Sequence, residues 1–269
     1  MEISILGKST YAYTGGKPWR TGQPAALFIH GAQHDHSVWT LQSRYLAHHG
    51  MSVLAVDLPG HGRSSGEPLR SVEELAAWVI EILKTLEIEG AALIGHSMGS
   101  LIALEAAFQA RERISKVALI STAFPMKVSE SLLDAATDDE PRALDMINLW
   151  SHSAREGGFS HKPSYPGPGF GLMWGNLRLM ERQRLGVLHV DFSACNAYQN
   201  AAALDTDVPA LFILGERDAM TPARSGAAMA ARLPRHEIVT IARAGHAVMA
   251  EAPDAVLKAL KEFLLPSAP

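Results

Sequence analysis

The chain has 269 residues, of which 47% are hydrophobic and 19% charged, with a formal net charge of −4 and one cysteine, Cys195. This composition predicts a folded domain with a sizeable core and argues against intrinsic disorder. The absence of a basic stripe argues against nucleic-acid binding, and a single cysteine excludes an internal disulfide framework.

The chain carries no recognisable targeting signal. Met1 to Thr10 contains no apolar run of signal-peptide length. No stretch approaches the roughly 18 apolar residues of a membrane span. We therefore expect a cytoplasmic protein without a membrane partner, either a monomer or a homodimer.

Short apolar runs alternate with longer amphipathic stretches. Residues 2 to 13 alternate in polarity like a leading antiparallel hairpin. Uninterrupted apolar runs follow at 25–29, 53–56, 91–94, 117–120 and 210–214, and a sixth run, at 238–241, contains Thr240. Such runs are typical of strands covered on both faces. The alternation predicts an α/β fold with a mostly parallel sheet flanked by helices.

Helix signals lie between these runs. Ser71 and Glu74 form an S-x-x-E capping box before a stretch with helical apolar spacing. Thr221 and Pro222 have the pattern of an N-cap followed by proline at the first helical position. A C-terminal helix is predicted over 256–264.

One segment, from Phe124 to Asn200, lacks the alternation of short strands. It holds helical patches and a Ser-Tyr-Pro-Gly-Pro-Gly run at 164–169. We interpret it as an insertion that caps the domain. The predicted division is a core of residues 1–123 and 201–269 and a cap of residues 124–200.

The strongest chemical signal is the G-x-S-x-G sequence from Gly95 to Gly99. It follows an apolar run and precedes a strong helix former, which is the strand–turn–helix setting of a nucleophilic serine. A sharp turn at Ser97 leaves no room for side chains two residues away on either side, which explains both glycines. The start of the helix also directs free N–H groups at the site.

A serine nucleophile needs a base and a carboxylate that orients the base. His246 lies just past the last apolar run, at a predicted carboxyl end of a strand. Asp218 follows the run 210–214, with Glu216 as the near competitor. Some hydrolases carry this acid after the preceding strand instead. Residues 121–124, which occupy that position here, include no carboxylate, and this favours Asp218.

Attack of a serine on a carbonyl group places a negative charge on the carbonyl oxygen, and we expect two backbone N–H groups to stabilise this oxyanion. One belongs to Met98, directly after the nucleophile, and the other to Ala32, in the loop after an early strand. Gly31 allows the backbone to approach closely there.

Taken in order, these motifs resemble those of the α/β-hydrolase family. The matching segments are His30-Gly31, 57–64, 95–99, Gly215 with Asp218, and Gly245-His246. The resemblance implies an eight-stranded, mostly parallel sheet with a helical cap inserted after the sixth strand. It also implies a triad of Ser97, Asp218 and His246 that works through an acyl-enzyme, and a mainly structural role for loop 57–64.

We expect no cofactor and no metal. His34-Asp35-His36 resembles a metal pair, but no further ligands flank it at metal-site spacing, so we interpret it as a polar rim loop. The predicted pocket residues are His30, Gly31, Phe124, Trp150, Phe170, Met173, Trp174 and Val248. Phe159 and Met180 are added to the predicted inner face of the cap.

The predicted function is hydrolysis of a carboxylic ester of a small apolar or aromatic molecule. Aspartate-nucleophile relatives, the dehalogenases and epoxide hydrolases, are disfavoured because position 97 is serine. Two alternatives keep the triad: a C–C bond hydrolase of ring-cleavage diketones and a lactonase. A third is a ligand-binding sensor that retains the triad and turns over slowly or not at all.

Overall fold

An eight-stranded sheet runs through the residues that the computed structural model describes, 1–153 and 170–265. Its order is β1-β2-β4-β3-β5-β6-β7-β8; β1 with β2 and β2 with β4 pair antiparallel, and all other neighbours pair parallel. The predicted mostly parallel sheet with a leading hairpin is confirmed. The strands are β1 (Glu2–Ile5), β2 (Lys8–Tyr13), β3 (Ala25–Ile29), β4 (Ser52–Val56), β5 (Ala91–His96), β6 (Ile114–Ile120), β7 (Ala210–Gly215) and β8 (His236–Ile241).

Helices cover both faces of the sheet. They are α1 (Thr40–His48), α2 (Val72–Thr85), α3 (Met98–Gln109), α4 (Glu130–Asp138), α5 (Glu140–Ser151), α6 (Phe170–Met180), α7 (Val187–Ala197), α8 (Ala223–Ala230), α9 (Val248–Glu251) and α10 (Pro253–Leu264). Short 3-10 turns lie at 36–39, 111–113 and 201–205. No helix of the described ranges is long and apolar enough to cross a membrane.

The sheet separates two apolar clusters because successive strand residues point to opposite faces. In β3, Leu27 and Ile29 pack with α2, α3 and α8 on one face. Ala26 and Phe28 pack with α1 and α10 on the other. Every residue of β3, β4, β5 and β7 is buried, which is why these strands have continuous apolar sequences.

Helices α4 to α7, here called the inserted helices, lie between β6 and β7. Their apolar side chains form a third cluster, apart from the two sheet clusters: Leu132, Ala135, Ala136, Ala143, Leu144, Ile147, Met180, Leu188 and Phe192. Their place in the chain is the one predicted for a cap, and the division into core and cap stays a prediction. The 164–169 run and Phe159 lie outside the described residues.

Two predicted helix starts differ in detail. The Ser71 hydroxyl accepts from Glu74 N at 3.1 Å, as in a capping box, but the Glu74 carboxylate accepts from Arg70 N at 3.0 Å instead of closing the box. The prediction that Thr221 is an N-cap is wrong, because α8 begins at Ala223 and its N-cap is Pro222. The Thr221 hydroxyl is engaged elsewhere, at Asp218.

Candidate active site

Ser97 occupies the sharp turn between β5 and α3. Its φ of 52° lies in the left-handed region, which is strained for a residue with a side chain. A Cβ on Gly95 would lie 2.0 Å from Gly99 O, and one on Gly99 would lie 2.3 Å from Ile29 O. Both glycines are therefore required where α3 is pressed against the ends of β3 and β5.

His246 and Asp218 form a buried pair at the carboxyl ends of β8 and β7. The distance from His246 Nδ1 to Asp218 Oδ2 is 2.9 Å, and the two side chains are 5% and 1% exposed. A carboxylate at Nδ1 fixes the proton on that nitrogen and leaves Nε2 as the basic one. The competitor Glu216 is exposed and accepts from Arg243 N at 2.8 Å.

Thr221 completes the surroundings of Asp218. Its hydroxyl donates to Asp218 Oδ2 at 2.8 Å, and the N–H groups of Thr221 and Met220 donate to Oδ1 at 2.8 and 2.9 Å. Burial by itself raises the pKa of Asp218, but the His246 charge and these hydrogen bonds outweigh it and hold the pKa below its ordinary value. Asp218 is thus an ionised carboxylate that is held in place from two sides.

The main chain of His246 is also anchored. His96 Nε2 donates to His246 O at 3.0 Å, and Ser121 Oγ donates to the same oxygen at 2.8 Å. Burial, followed by the nearby His246, lowers the pKa of His96 well below its ordinary value. The neutral His96 ring therefore supports the loop and adds no charge to the site.

The loop after β3 brings Ala32 to Ser97. A Cβ on Gly31 would lie 3.0 Å from His96 Nδ1 and 3.3 Å from Ser97 Cβ, so glycine allows this close approach without a shift of either neighbour. His30 Nδ1 donates to Gly31 O at 2.8 Å. Because C=O and N–H point in opposite directions in a trans peptide, Ala32 N–H points away from the His30 ring. Met98, the other predicted donor, is the first residue of α3, where helical N–H groups lack intrahelical partners.

His30 was predicted to line the pocket but is fully buried beneath it. Its Nε2 accepts from Leu58 N at 3.1 Å, which requires the proton to be on Nδ1. Burial and the neighbouring His61 lower the pKa of His30 to about 3, so the ring stays neutral in this tautomer. Its place in the structure is that of a support for the Gly31–Ala32 peptide.

Two cavities meet at Ser97, with volumes of about 310 and 340 Å³. They share Ala32, Ser97, Phe192, Met220 and His246. The first cavity extends between the α1 region and helices α5 and α6, past His34, Gln42, Ile147, His152, Leu172, Asn176, Leu179 and Met249. The second extends toward α4, past Met126, Val128, Leu132, Trp150 and Cys195.

The predicted pocket residues divide between the cavities and the core. Gly31 lines the first cavity and Trp150 the second. Phe124 instead packs edge-to-face on Tyr198, with ring centroids 5.8 Å apart, and Val248 is fully buried in the core. Neither of them is among the described residues that line the cavities.

Met173 and Trp174, which were predicted to line the pocket, are not on the face of α6 that lines the first cavity. Leu172, Asn176 and Leu179, at helical spacing, face the first cavity. Trp174 is 41% exposed and lies under the Arg178 guanidinium. Met173 does not line either cavity within the described part of the chain. Phe170 is the first residue of α6, and its side chain is not among the side chains that the structure describes.

Polar residues follow the wall of the first cavity: His34 belongs to the predicted polar rim loop, whereas Asn176 was not predicted. His34 Nδ1 donates to Ala32 O at 2.7 Å, and its Nε2 lies 3.0 Å from Asn176 Oδ1. Asn176 in turn bonds Asn148, 3.1 Å away. The Asp218–Thr221 spacing, typical of a side-chain-to-backbone turn, is the one local signal that could have indicated Thr221.

Asp35, His36 and Asp57 place three potential metal-ligand atoms within 4.8 Å of one another. Two of them already bond each other, since His36 Nδ1 and N both donate to Asp57 Oδ1 at 2.7 Å. Asp57 Oδ2 accepts from Arg63 N at 2.9 Å. These bonds hold the 57–64 loop to the rim loop, and we assign the cluster no metal role.

Sequence comparison identifies the family. The model of the alpha/beta hydrolase family matches residues 26–259. The chain belongs to the alpha/beta hydrolase family. It is 28% identical over 224 residues to the uncharacterized hydrolase YugF of Bacillus subtilis, covering 79% of this chain and 80% of that one. It is 29% identical over 223 residues to the esterase YbfF of Escherichia coli, covering 79% and 82%.

Solved structures share the fold of this alpha/beta hydrolase. The enol-lactonase from Burkholderia xenovorans LB400 matches with a TM-score of 0.85 at 23% identity, covering 99% of this chain and 100% of that one. A thermophilic esterase matches with a TM-score of 0.80 at 24% identity, covering 98% and 96%. Family membership and the sequence relatives support hydrolase activity.

Proposed function

We propose that this alpha/beta hydrolase cleaves a carboxylic ester through an acyl-enzyme on Ser97. The observation that carries the proposal is the buried His246–Asp218 pair, with Nδ1 2.9 Å from the carboxylate, beside a strained serine turn where two cavities meet. A histidine held in this tautomer presents Nε2 as a general base.

The reaction runs in two halves. Ser97 Oγ attacks the carbonyl carbon while His246 Nε2 takes its proton, and Asp218 stabilises the imidazolium without accepting the proton. The N–H groups of Ala32 and Met98 stabilise the oxyanion. The tetrahedral intermediate collapses, and the alcohol leaves with the proton from His246. Water, activated by His246, then releases the acid by the same route.

The two cavities support a substrate with a group on each side of the scissile bond. Phe192 and Met220 line both cavities next to Ser97, and Leu132, Trp150 and Met126 extend the apolar wall of the second. Apolar walls with a few polar groups suit an apolar or aromatic acid or alcohol. Volumes of about 310 and 340 Å³ favour small substrates over long-chain lipids.

The test is labelling with a fluorophosphonate probe, peptide mass spectrometry of the adduct, and turnover of short-chain p-nitrophenyl esters. We expect an adduct on Ser97 and loss of labelling and turnover in Ser97→Ala. Ser115→Ala should behave like the wild type, because Ser115 lies at the amino-terminal end of β6, at the other end of the parallel strands from Ser97. Ester turnover that survives in Ser97→Ala would remove Ser97 from the mechanism.

The same protein preparation can be used to determine which class of bond is cleaved. Lactones and β-diketones of matched size are compared with the esters by kcat/KM, and the highest value identifies the bond class. Tight binding of any of these compounds, measured by a shift in melting temperature without turnover or labelling, would favour the sensor hypothesis.

A further inference from the structure

A second buried histidine–aspartate pair connects the inserted helices to the rest of the fold. His61, in the loop after β4, lies 2.9 Å from Asp191 of α7 through its Nε2, and both side chains are 1% exposed. His61 Nδ1 lies 3.0 Å from Pro59 O. A carbonyl oxygen and an ionised carboxylate can only accept, so with Asp191 ionised both ring nitrogens carry protons and His61 is an imidazolium.

The same carboxylate oxygen reaches the loop after β3. Asp191 Oδ2 accepts from Gln33 N at 2.9 Å in addition to its bond with His61. Gln33 is 1% exposed and has a φ of 59°, which is uncommon for a residue with a side chain. Its side chain is also held by an inserted helix, since Nε2 donates to Met180 O at 3.2 Å.

Gln33 directly follows Ala32, the proposed oxyanion donor. The peptide before Ala32 is held by His30 at Gly31 O, 2.8 Å away. The peptide after Ala32 is held by His34 at Ala32 O, 2.7 Å away, and by Asp191 at Gln33 N. These anchors fix the two peptide planes on either side of Ala32, and with them the direction of its N–H.

We propose that Asp191 is a positioning residue that sets the geometry of the oxyanion loop through Gln33 N–H, so that docking of α7 completes the active site. The inference rests on the proposed function. The Asp191 carboxylate touches no reacting atom; it holds one of the two peptides that orient the Ala32 donor. Preorganised donors of this kind act on the transition state more than on the bound substrate.

An isosteric amide cannot replace this carboxylate. Two N–H donors, from His61 and Gln33, converge on one oxygen. In Asp191→Asn an oxygen at that place would leave the imidazolium without its counter-charge, and a nitrogen there would face Gln33 N–H, donor against donor. Either arrangement loosens the anchor beyond Ala32.

The experiment compares Asp191→Asn with wild type and with Gln183→Leu. Gln183 Oε1 accepts from Gly62 N at 2.9 Å, so it joins the inserted helices to the same 57–64 loop without touching Gln33. We expect kcat of Asp191→Asn on a p-nitrophenyl ester to fall about tenfold to a hundredfold with KM nearly unchanged. Gln183→Leu should lower the melting temperature and keep kcat.

Two inhibitors separate positioning from general damage. A boronic acid, which forms a tetrahedral adduct on serine, should lose affinity in Asp191→Asn by the same factor as kcat. A product carboxylic acid should bind as it does to the wild type. Equal losses for both inhibitors, or wild-type kcat in folded Asp191→Asn, would overturn the inference and leave the proposed function intact.

If Asp191→Asn does not fold, the double variant His61→Leu/Asp191→Leu replaces it, because an apolar pair leaves no unpaired charge in the core and no acceptor for Gln33 N–H. The same loss of kcat is expected, and wild-type kcat would contradict the inference. If the wild type hydrolyses no ester, the fluorophosphonate labelling rate of Ser97 takes the place of kcat. Absence of both turnover and labelling in the wild type would overturn the proposed function, and the inference with it.

Discussion

Within the described part of the chain, two buried histidine–aspartate pairs have the same 2.9 Å separation, His246–Asp218 and His61–Asp191. They differ at the other ring nitrogen. In His61 that nitrogen is occupied by Pro59 O, whereas His246 borders both cavities beside Ser97. A buried carboxylate at one ring nitrogen is therefore not sufficient to make a histidine a general base. A histidine can move a proton only when its second nitrogen is left free for the reacting group.

The largest effect is expected on the His246 pair. Asp218→Asn keeps the shape of the side chain but favours the wrong tautomer of His246, so kcat on a p-nitrophenyl ester should fall by about 10³ to 10⁴. Steady-state kinetics of the purified variant measure this. Glu216→Gln is the matched control, since Glu216 lies two residues away and bonds Arg243 N instead. Equal losses in the two variants would contradict the assignment of Asp218.

The His61 pair should affect stability. His61→Leu leaves Asp191 as a buried, unpaired charge, which should lower the free energy of unfolding by about 3–5 kcal/mol in urea denaturation near neutral pH. A loss below about 1 kcal/mol, with Asp191 still buried, would show that the pair is not charged in the folded protein.

The pH dependence of stability distinguishes the two pairs. Burial alone lowers the pKa of His61, but the Asp191 charge and hydrogen bond outweigh it and raise the pKa above 6.5. Its contribution is therefore fully present below about pH 6.5 and lost as pH rises through the raised pKa. The Asp218 contribution, with a lowered pKa, is present above its ordinary value of 3.8 and lost as pH falls through the folded value.

Denaturation of wild type and His61→Leu across this range checks the sign. The difference in unfolding free energy should be largest on the acidic side of pH 6.5 and shrink toward alkaline pH. A difference that grows with pH would mean that His61 is neutral when folded.

The smallest effect is expected at Thr221. Thr221→Val removes the hydroxyl bond to Asp218 Oδ2 but retains the two backbone N–H bonds to Oδ1. The loss of one donor to the carboxylate should lower kcat only about threefold to tenfold and weaken the lowering of the Asp218 pKa, so that on acidification the variant loses stability at a higher pH than the wild type. Thr221→Ser, which keeps the hydroxyl, should restore activity. No recovery in the serine variant would indicate that the methyl group, not the hydroxyl, matters.

The fold and the three residues proposed for catalysis were accessible from sequence because their signals are local. Ser97 and Asp218 each follow a continuous, buried apolar strand, Ser97 carries glycines two residues away on both sides, and His246 follows the mostly exposed strand β8. Side chains at strand ends meet at one edge of a parallel sheet. Local pattern and global position therefore agree at these residues.

The rest of the site depends on contacts between distant segments. Asp191 lies 130 residues after His61 and inside a helix of ordinary composition, so no spacing rule connects them. The choice between Trp174 and Asn176 depends on how α6 is rotated against the first cavity, which its sequence does not determine. His30 was assigned to the pocket together with Gly31, but its ring bonds Leu58 N and Gly31 O and is buried beneath the loop.

The close glycine contacts also determine which positions of this enzyme can evolve. Gly95 and Gly99 fix the serine turn, and a Cβ on Gly215 would lie 2.1 Å from Gly245 O, so the loops of Asp218 and His246 meet backbone to backbone. In a mutational library we expect no substitution of Gly95, Gly99, Gly215 or Gly245 to retain activity. Diversity is admissible instead at Leu172, Asn176 and Leu179 of α6, so new specificities should arise in the inserted helices while the loops that hold Ser97, Asp218 and His246 stay unchanged.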